Sequence, residues 1–272
     1  MATEAACSAT TSTARTCRNS GLRLSAAEGQ AAYRIAKTTY GGLNPEERPV
    51  DGDRSVWNRH DVALTKTAYG SLVEEGSYAE ALADFRPSPL GGVAVGELFD
   101  GEPDSTLPVL DAVGREWDQR GHMPLGAMPA GWRADRLMYR LTLPPSGWFI
   151  DVTHSDSIAS INRHLGPRLS GFLGGEHLTV AHLTGQDRLL TTAIAEWVYD
   201  QVLDDGSLPH GMVYPSKHGA EWQLYSIWLR AVRDGKPLTS EPTKTDEGSE
   251  IAGCGQNNAL RNVARLFGLT CH

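Results

Sequence analysis

The chain has 272 residues, with 25 Lys and Arg against 33 Asp and Glu, a formal net charge of −8. A hydrophobic share of 40% with 21% charged residues is ordinary globular composition and excludes wholesale disorder. The acidic balance gives no global field for nucleic acid, and no stretch approaches the ~18 uninterrupted apolar residues of a membrane span.

Residues 1–22 are rich in Ala, Thr and Ser without periodicity and read as a flexible tail. They lack the basic start and apolar run of a secretory leader, so the expected location is cytoplasmic. Leu24 to Lys37 is a helical or extended segment leading to Tyr33, Arg34 and Ile35. GGLNPEERPVDGD, residues 41–53, is a loop by its Gly, Pro, Asn and Asp content. Leu72, Ala79, Leu82, Ala83 and Phe85 fit a helix that starts near Ser77 and stops before Pro87. A Pro- and Gly-rich excursion follows, then a helix from Val109 to Arg120. Leu137, Tyr139, Leu141 and Leu143 alternate as in a strand, and WFIDVT, residues 148–153, is a second one. Ser155 is placed to cap a helix carrying Ile158, Ile161 and Leu165. Residues 184–203 give the clearest helix, with Leu189, Leu190, Ala193, Ile194, Trp197, Val198 and Val202 on one face. Residues 210–216 read as a strand and 222–232 as strand or helix. Residues 236–250 form a polar linker, and Leu260, Val263 and Phe267 align on a short final helix. The expectation is one α+β domain over 23–235, then a linker and short helix over 236–272. Its core is expected to hold Ile35, Leu72, Leu82, Leu141, Ile150, Ile194, Val198, Val213 and Ile227.

The four cysteines are Cys7, Cys17, Cys254 and Cys271. None lies between 18 and 253, which excludes a disulfide framework or zinc site inside the main body. Pairing between the tail cysteines stays open, but no Cys-x-x-Cys occurs, so free thiols in a reducing compartment and no metal are expected. His177 and His182, five apart, fall on different helical faces. There is no phosphate-binding Gly-x-x-x-x-Gly-Lys loop, no Gly-x-Gly-x-x-Gly, no Gly-x-Ser-x-Gly and no His-Glu-x-x-His.

Three strings carry polar residues on apolar segments. AAYRIA holds Arg34, AYGSLVEEGSYAEALADF holds Tyr69 and Glu80, and HGMVYPSKHGAEW holds Ser216. A buried guanidinium needs a partner or an anionic ligand. Singly, each residue has a bland reading as a salt bridge, a polar helix face or a turn.

In this order the strings resemble the RES-domain family, named for its Arg, Glu and Ser. Tyr33–Arg34 matches its opening pair, Arg54 in GDRSVWN its second arginine, and Tyr69, Ala79 and Glu80 its strand-end tyrosine and Ala-Glu helix. FIDVT and GMVYPSK match its later strands. The likeness covers about residues 31–232. GDRSVWN departs from the usual Gly-Gly-Arg-Trp-Asn, so which of Arg54, Trp57 and Asn58 lines the site stays open, and Lys217 stands where many members have Arg.

The resemblance implies a single ADP-ribosyltransferase-like domain, with a small mixed β core and surrounding helices. It implies NAD as substrate, with no prosthetic group and inorganic phosphate as a possible co-substrate. The activity would be that of a toxin neutralised by an Xre-type antitoxin, with no direct nucleic-acid or membrane partner. Cleavage of the nicotinamide–ribose bond by phosphorolysis or hydrolysis is the first reading. Transfer of ADP-ribose to a protein and a non-catalytic binding domain are the alternatives. The bond breaks through an oxocarbenium-like state, which needs an anion near the ribose. Glu80 would stabilise that charge, with Arg34 and Ser216 as its catalytic companions. Arg34 and Arg54 would grip pyrophosphate or phosphate, Tyr69 would stack on the cationic ring, and Tyr33 and Asn58 would complete the NAD contacts. The missing Gly-x-Gly-x-x-Gly argues against a redox use of NAD and not against NAD itself. Arg34, Arg54, Tyr69, Glu80 and Ser216 are therefore expected in one cleft.

Overall fold

Strand-forming segments recur along the whole chain, and they assemble into one sheet. The computed structural model describes residues 14–98, 106–120, 126–230 and 243–271. In chain order it has β1 (Ala14–Thr16), β2 (Arg23–Ala26), β3 (Ala31–Lys37), β4 (Lys66–Ser71), α1 (Glu74–Leu82), α2 (Val95–Leu98), α3 (Val109–Gln119), α4 (Ala130–Ala134), β5 (Arg136–Thr142) and β6 (Trp148–Asp151). Then come α5 (Ser155–Leu169), α6 (Val180–Thr184), α7 (Arg188–Tyr199), β7 (Gly211–Ser216), β8 (Gly219–Leu229), β9 (Lys244–Thr245), β10 (Ser249–Glu250) and α8 (Asn258–Phe267). The strand order is β1-β2-β6-β7-β8-β4-β3-β5-β10, with β9 also on β5. The small β core expected from the resemblance is thus a ten-stranded mixed sheet among the described residues. Edge strands of two or three residues are too short to show a period in the sequence. β6 and β7 run parallel, and the helical passage through α5, α6 and α7 supplies the long crossover that a parallel pair needs.

Alternation along the strands sorts the core into two faces. On β7, Met212 and Tyr214 join Leu24, Ile150, Ile161, Ile194 and Val198 under α5 and α7. Val213 points the other way, towards Ala32, Ala68, Leu141, Phe149 and Ile227. A third cluster seats α8 on α1 through Leu260, Val263 and Phe267 against Tyr78, Ala79 and Leu82. Of the expected core, Leu82, Leu141, Ile150, Ile194, Val198, Val213 and Ile227 are buried, and Ile35 and Leu72 are half-buried at cluster edges.

Several local expectations change. The helix expected near Ser77 begins at Glu74, where Glu74 and Glu75 suit the positive end of the helix dipole. Gly76 lets α1 lie close on β4 and β8, since a Cβ there would collide with the Ser71 hydroxyl and crowd Trp222 Cβ at 3.2 Å. The cap of α5 is the His154 ring, whose Nδ1 accepts from the Asp156 N–H at 3.2 Å, in place of Ser155. The helix expected over 184–203 is shortened to α7, Arg188–Tyr199, with Asp187 capping it through the Leu190 N–H at 3.0 Å. Leu190, Ile194 and Val198 of the expected face are buried, but Leu189 is exposed, Val202 lies exposed beyond the helix end, and Thr191 and Thr192 are buried. Their hydroxyls donate to the Asp187 and Arg188 carbonyls at 2.9 and 2.6 Å, which satisfies them inside the protein. Residues 222–229 are strand, and β8 is hydrogen-bonded on both sides, by β4 and β7, which accounts for its nearly continuous apolar run.

The boundaries also move. β1 pairs with β2, Cys17 and Leu22 are buried, and Arg15 pairs with Asp204 at 2.6 Å, so the sheet begins at Ala14 within the expected tail. Residues 1–13 of that tail, Cys7 among them, and 231–242, the end of the expected domain and the start of the expected linker, lie outside the described residues. Cys254 and Cys271 form a disulfide, against the expected free thiols, because α8 carries the chain back until their Cα atoms are 6.0 Å apart. Cys17 is a free, buried thiol. Gly268, at φ 67°, closes α8, and the Leu269 N–H bonds the Ala264 carbonyl at 2.8 Å. Among the described residues no helix is long and apolar enough to cross a membrane.

Candidate active site

A cleft of about 330 Å³ opens among β3, β4, α1, the start of α7 and the end of β7. Arg34 enters it from β3. β3 and β4 share one registered pair, Tyr33 with Ser71, and beyond it the Arg34 Nη1 donates to the Tyr69 carbonyl at 3.3 Å. The Arg34 Nε is buried without a partner among the described residues. Burial lowers the Arg34 pKa, against the pull of Tyr69 and Asp61.

Tyr69 is fixed by its hydroxyl, which donates to Asp61 Oδ1 at 2.7 Å and accepts from the His60 N–H at 3.0 Å. Burial and the Asp61 carboxylate push the phenol well above its usual value, so it stays protonated. Asp61, itself buried, also accepts from the Asn58 N–H at 2.9 Å and the Arg48 Nε at 2.6 Å. This one carboxylate pins the loop that presents Asn58 and Arg59 to the cleft.

Glu80 lines the cleft from α1, and Ser216 stands behind it at the end of β7. The Ser216 hydroxyl donates to Glu80 Oε1 at 2.6 Å and accepts from the His218 N–H at 3.1 Å. Glu80 is exposed while Ser216 is buried, so the carboxylate is oriented yet open to the cleft.

Arg34, Tyr69, Glu80 and Asn58 thus share the cleft, with Ser216 in contact with Glu80. Two expected members do not. The Arg54 guanidinium is bonded at both ends to Glu196 of α7, at 2.8 and 2.6 Å, and lies over Trp57 at 5.2 Å, so this arginine belongs to a structural ion pair. Tyr33 neighbours Arg34 on one strand and so faces the other way. It lines a separate cleft with Tyr78 and Met138.

Two arginines outside the quoted motifs line the cleft where Arg54 does not. Arg59 is buried, with its Nη2 donating to the Thr184 carbonyl at 3.0 Å and its guanidinium 5.8 Å from the Tyr214 ring. Arg188 lines the same cleft with a buried, unpartnered Nη1. Burial, then repulsion from Arg59, lowers the pKa of both Arg188 and Lys217. One signal for Arg188 was available: a cation in the first turn of a helix opposes the dipole, so another interaction must favour it there. Four cations, Arg34, Arg59, Arg188 and Lys217, therefore face one carboxylate, Glu80. Such a cleft suits a ligand with a phosphate-borne charge and a hydroxylated ring near the carboxylate.

Beside the cleft, the His60 ring is buried with both nitrogens unpartnered and meets Tyr214 edge-on at 4.5 Å. Burial first, then Arg59 and Arg188, hold its pKa well below 6.5. The folded protein keeps this ring neutral, whereas the unfolded chain takes up a proton below about 6.5, so stability falls as pH drops through that value. His210 and His218 are shifted in the same direction, chiefly by burial. The urea midpoint is expected to fall between about pH 7 and about pH 5, and His60→Phe to flatten part of that slope. Asp204 and Asp205, both shifted down from 3.8, act below this window. A midpoint constant across the window would contradict the neutral, enclosed imidazole.

No family model matches the chain, and no curated protein matches it in sequence. Among solved structures, a chain of the M. tuberculosis MbcT–MbcA toxin–antitoxin complex is similar at a TM-score of 0.36 and 10% identity, over 88% of this chain and 89% of that one. A likeness of that strength does not establish a shared fold.

Proposed function

We propose that the chain is an enzyme that consumes NAD by cleaving its nicotinamide–ribose bond. The observation that carries this reading is the Glu80 carboxylate, oriented by Ser216 at 2.6 Å, in a cleft whose other charged lining residues are the cations Arg34, Arg59, Arg188 and Lys217. The cations Arg34, Arg59, Arg188 and Lys217 hold the pyrophosphate. Glu80 faces the ribose. As the C–N bond breaks, its electron pair returns to the nicotinamide nitrogen and positive charge grows on the ribose, where the carboxylate stabilises it. The Ser216 hydroxyl is a hydrogen-bond donor that orients Glu80, not a nucleophile. Phosphate or water then forms the new C–O bond. In this reading the domain is ADP-ribosyltransferase-like and the chain is a cytoplasmic toxin neutralised by an Xre-type antitoxin, as the resemblance to the RES-domain family implies.

Mass spectrometry of NAD incubated with the protein, with and without phosphate, tests it. Nicotinamide is the expected product in both cases, with ADP-ribose 1″-phosphate formed when phosphate is the acceptor and ADP-ribose when water is. A mass increment on an added protein would move the reading to transfer. Intact NAD after hours, with a flat calorimetric titration, would overturn both.

A further inference from the structure

Helix α8 lies outside the stretch that carries the catalytic residues, yet it touches both supports of the carboxylate. Its Phe267 ring meets the His218 ring at 5.6 Å and lies under the Arg86 guanidinium at 4.5 Å. The His218 N–H bonds the Ser216 hydroxyl, which bonds Glu80. On its other side α8 packs against Tyr78, Ala79 and Leu82 of α1, the helix that bears Glu80. The Asn257 amide, at the start of α8, donates to the Tyr78 hydroxyl at 2.7 Å.

A reducible bond closes this element. Cys254 precedes α8, Cys271 follows it, and the disulfide joins them across 17 positions. Cys254 is buried and Cys271 is partly exposed, so the Cys271 sulfur is the one a thiolate reaches. Without the bond, the chain end keeps the backbone pairs of Thr270 with Gly126 and Met128, at 2.8 and 3.0 Å.

We propose that the Cys254–Cys271 disulfide is a redox control on the Glu80 carboxylate. When oxidised, it holds α8 against α1 and against His218, and so keeps Glu80 and Ser216 in register. When a dithiol reduces it, α8 loosens and turnover falls. The dithiol supplies two electrons and two protons, the protein gains two thiols, and the reductant closes to its own disulfide. Phe267 and His218 act here as positioning residues. The activity arm of this inference rests on the NAD-consuming reading, and the exchange arm does not.

The test uses the full chain, oxidised or treated with dithiothreitol, with the thiol state read by intact mass. Reduction is expected to lower kcat about 10- to 100-fold with KM little changed, as small displacements of reacting groups do. It should also speed amide exchange at His218, α1 and α8 while β2 and β6 keep their protection. The Cys254→Ser/Cys271→Ser variant should work at the reduced rate and ignore dithiothreitol. Phe267→Leu, which keeps the bond, should lose part of the rate. Equal kcat in both thiol states, or unchanged exchange at His218 after full reduction, overturns the proposal. So does faster exchange throughout β2 and β6, which would make the bond a staple for the whole fold. If the oxidised protein consumes no NAD, the catalytic reading fails, and exchange at His218 alone decides whether the bond reaches the cleft.

Discussion

Glu80→Gln is expected to slow NAD consumption on the order of 10²–10³-fold, roughly 3–4 kcal/mol of transition-state stabilisation. The substitution keeps the shape of the side chain and an oxygen that can accept from the Ser216 hydroxyl, so that contact persists. What disappears is the negative charge that the proposed reaction sets in front of the ribose. That charge matters most as the oxocarbenium character develops, so kcat should fall much more than substrate binding. Melting curves of the two proteins should nearly coincide, because Glu80 is exposed and forms no salt bridge among the described residues. If folded Glu80→Gln consumes NAD at the wild-type rate, the carboxylate is not the catalytic group.

Arg188→Ala is expected to lower kcat/KM about 10- to 150-fold, the loss of a charge-assisted hydrogen bond of about 1.5–3 kcal/mol. Stability should hold or rise slightly. The residue is a partly desolvated cation repelled by Arg59, with its Nη1 unpartnered among the described residues, so the folded protein without ligand gains little from it. Arg54→Ala should show the reverse. Its paired Glu196 is left without a counter-charge and η1, the turn at Arg54–Val56, comes loose from α7, so melting temperature should fall while kcat/KM of the remaining folded enzyme stays close to wild type. Equal kinetic losses in the two variants would sink the assignment of the anion-binding role to Arg188.

These two arginines also mark what the sequence could and could not reveal. Arg34, Tyr69, Glu80 and Ser216 were legible because each sits on a strand or helix whose apolar neighbours make a charge or hydroxyl conspicuous. Arg54 stood out for its place in a motif, but a motif does not say which neighbour will claim a guanidinium, and Glu196 lies 142 positions away. Arg59 and Arg188 come from a loop and a helix start, where a cation is unremarkable until the crossover brings them together. Asp61 shows no periodicity at all, and its importance comes from three donors converging on one carboxylate. In the fold, the long strands and the amphipathic α8 followed from pattern. The edge strands β1, β9 and β10 are fixed by their neighbours, and the disulfide by the path of the chain.

The position of β8 in the sheet decides when the cleft comes together during synthesis. β8 lies between β7 and β4, so it joins the strand that ends in Ser216 to the half that carries Arg34, Tyr69 and Glu80. It is also the last long strand to be made, spanning Gly219–Leu229. A nascent chain that stops short of it has Arg34, Arg59, Tyr69, Glu80, Arg188 and Ser216 already polymerised but no sheet to hold them together. Closing that gap pairs Lys66–Ser71 with residues more than 150 positions downstream, a non-local step that comes late and slowly. The cleft is therefore assembled only once β8 has left the ribosome and paired with both β4 and β7.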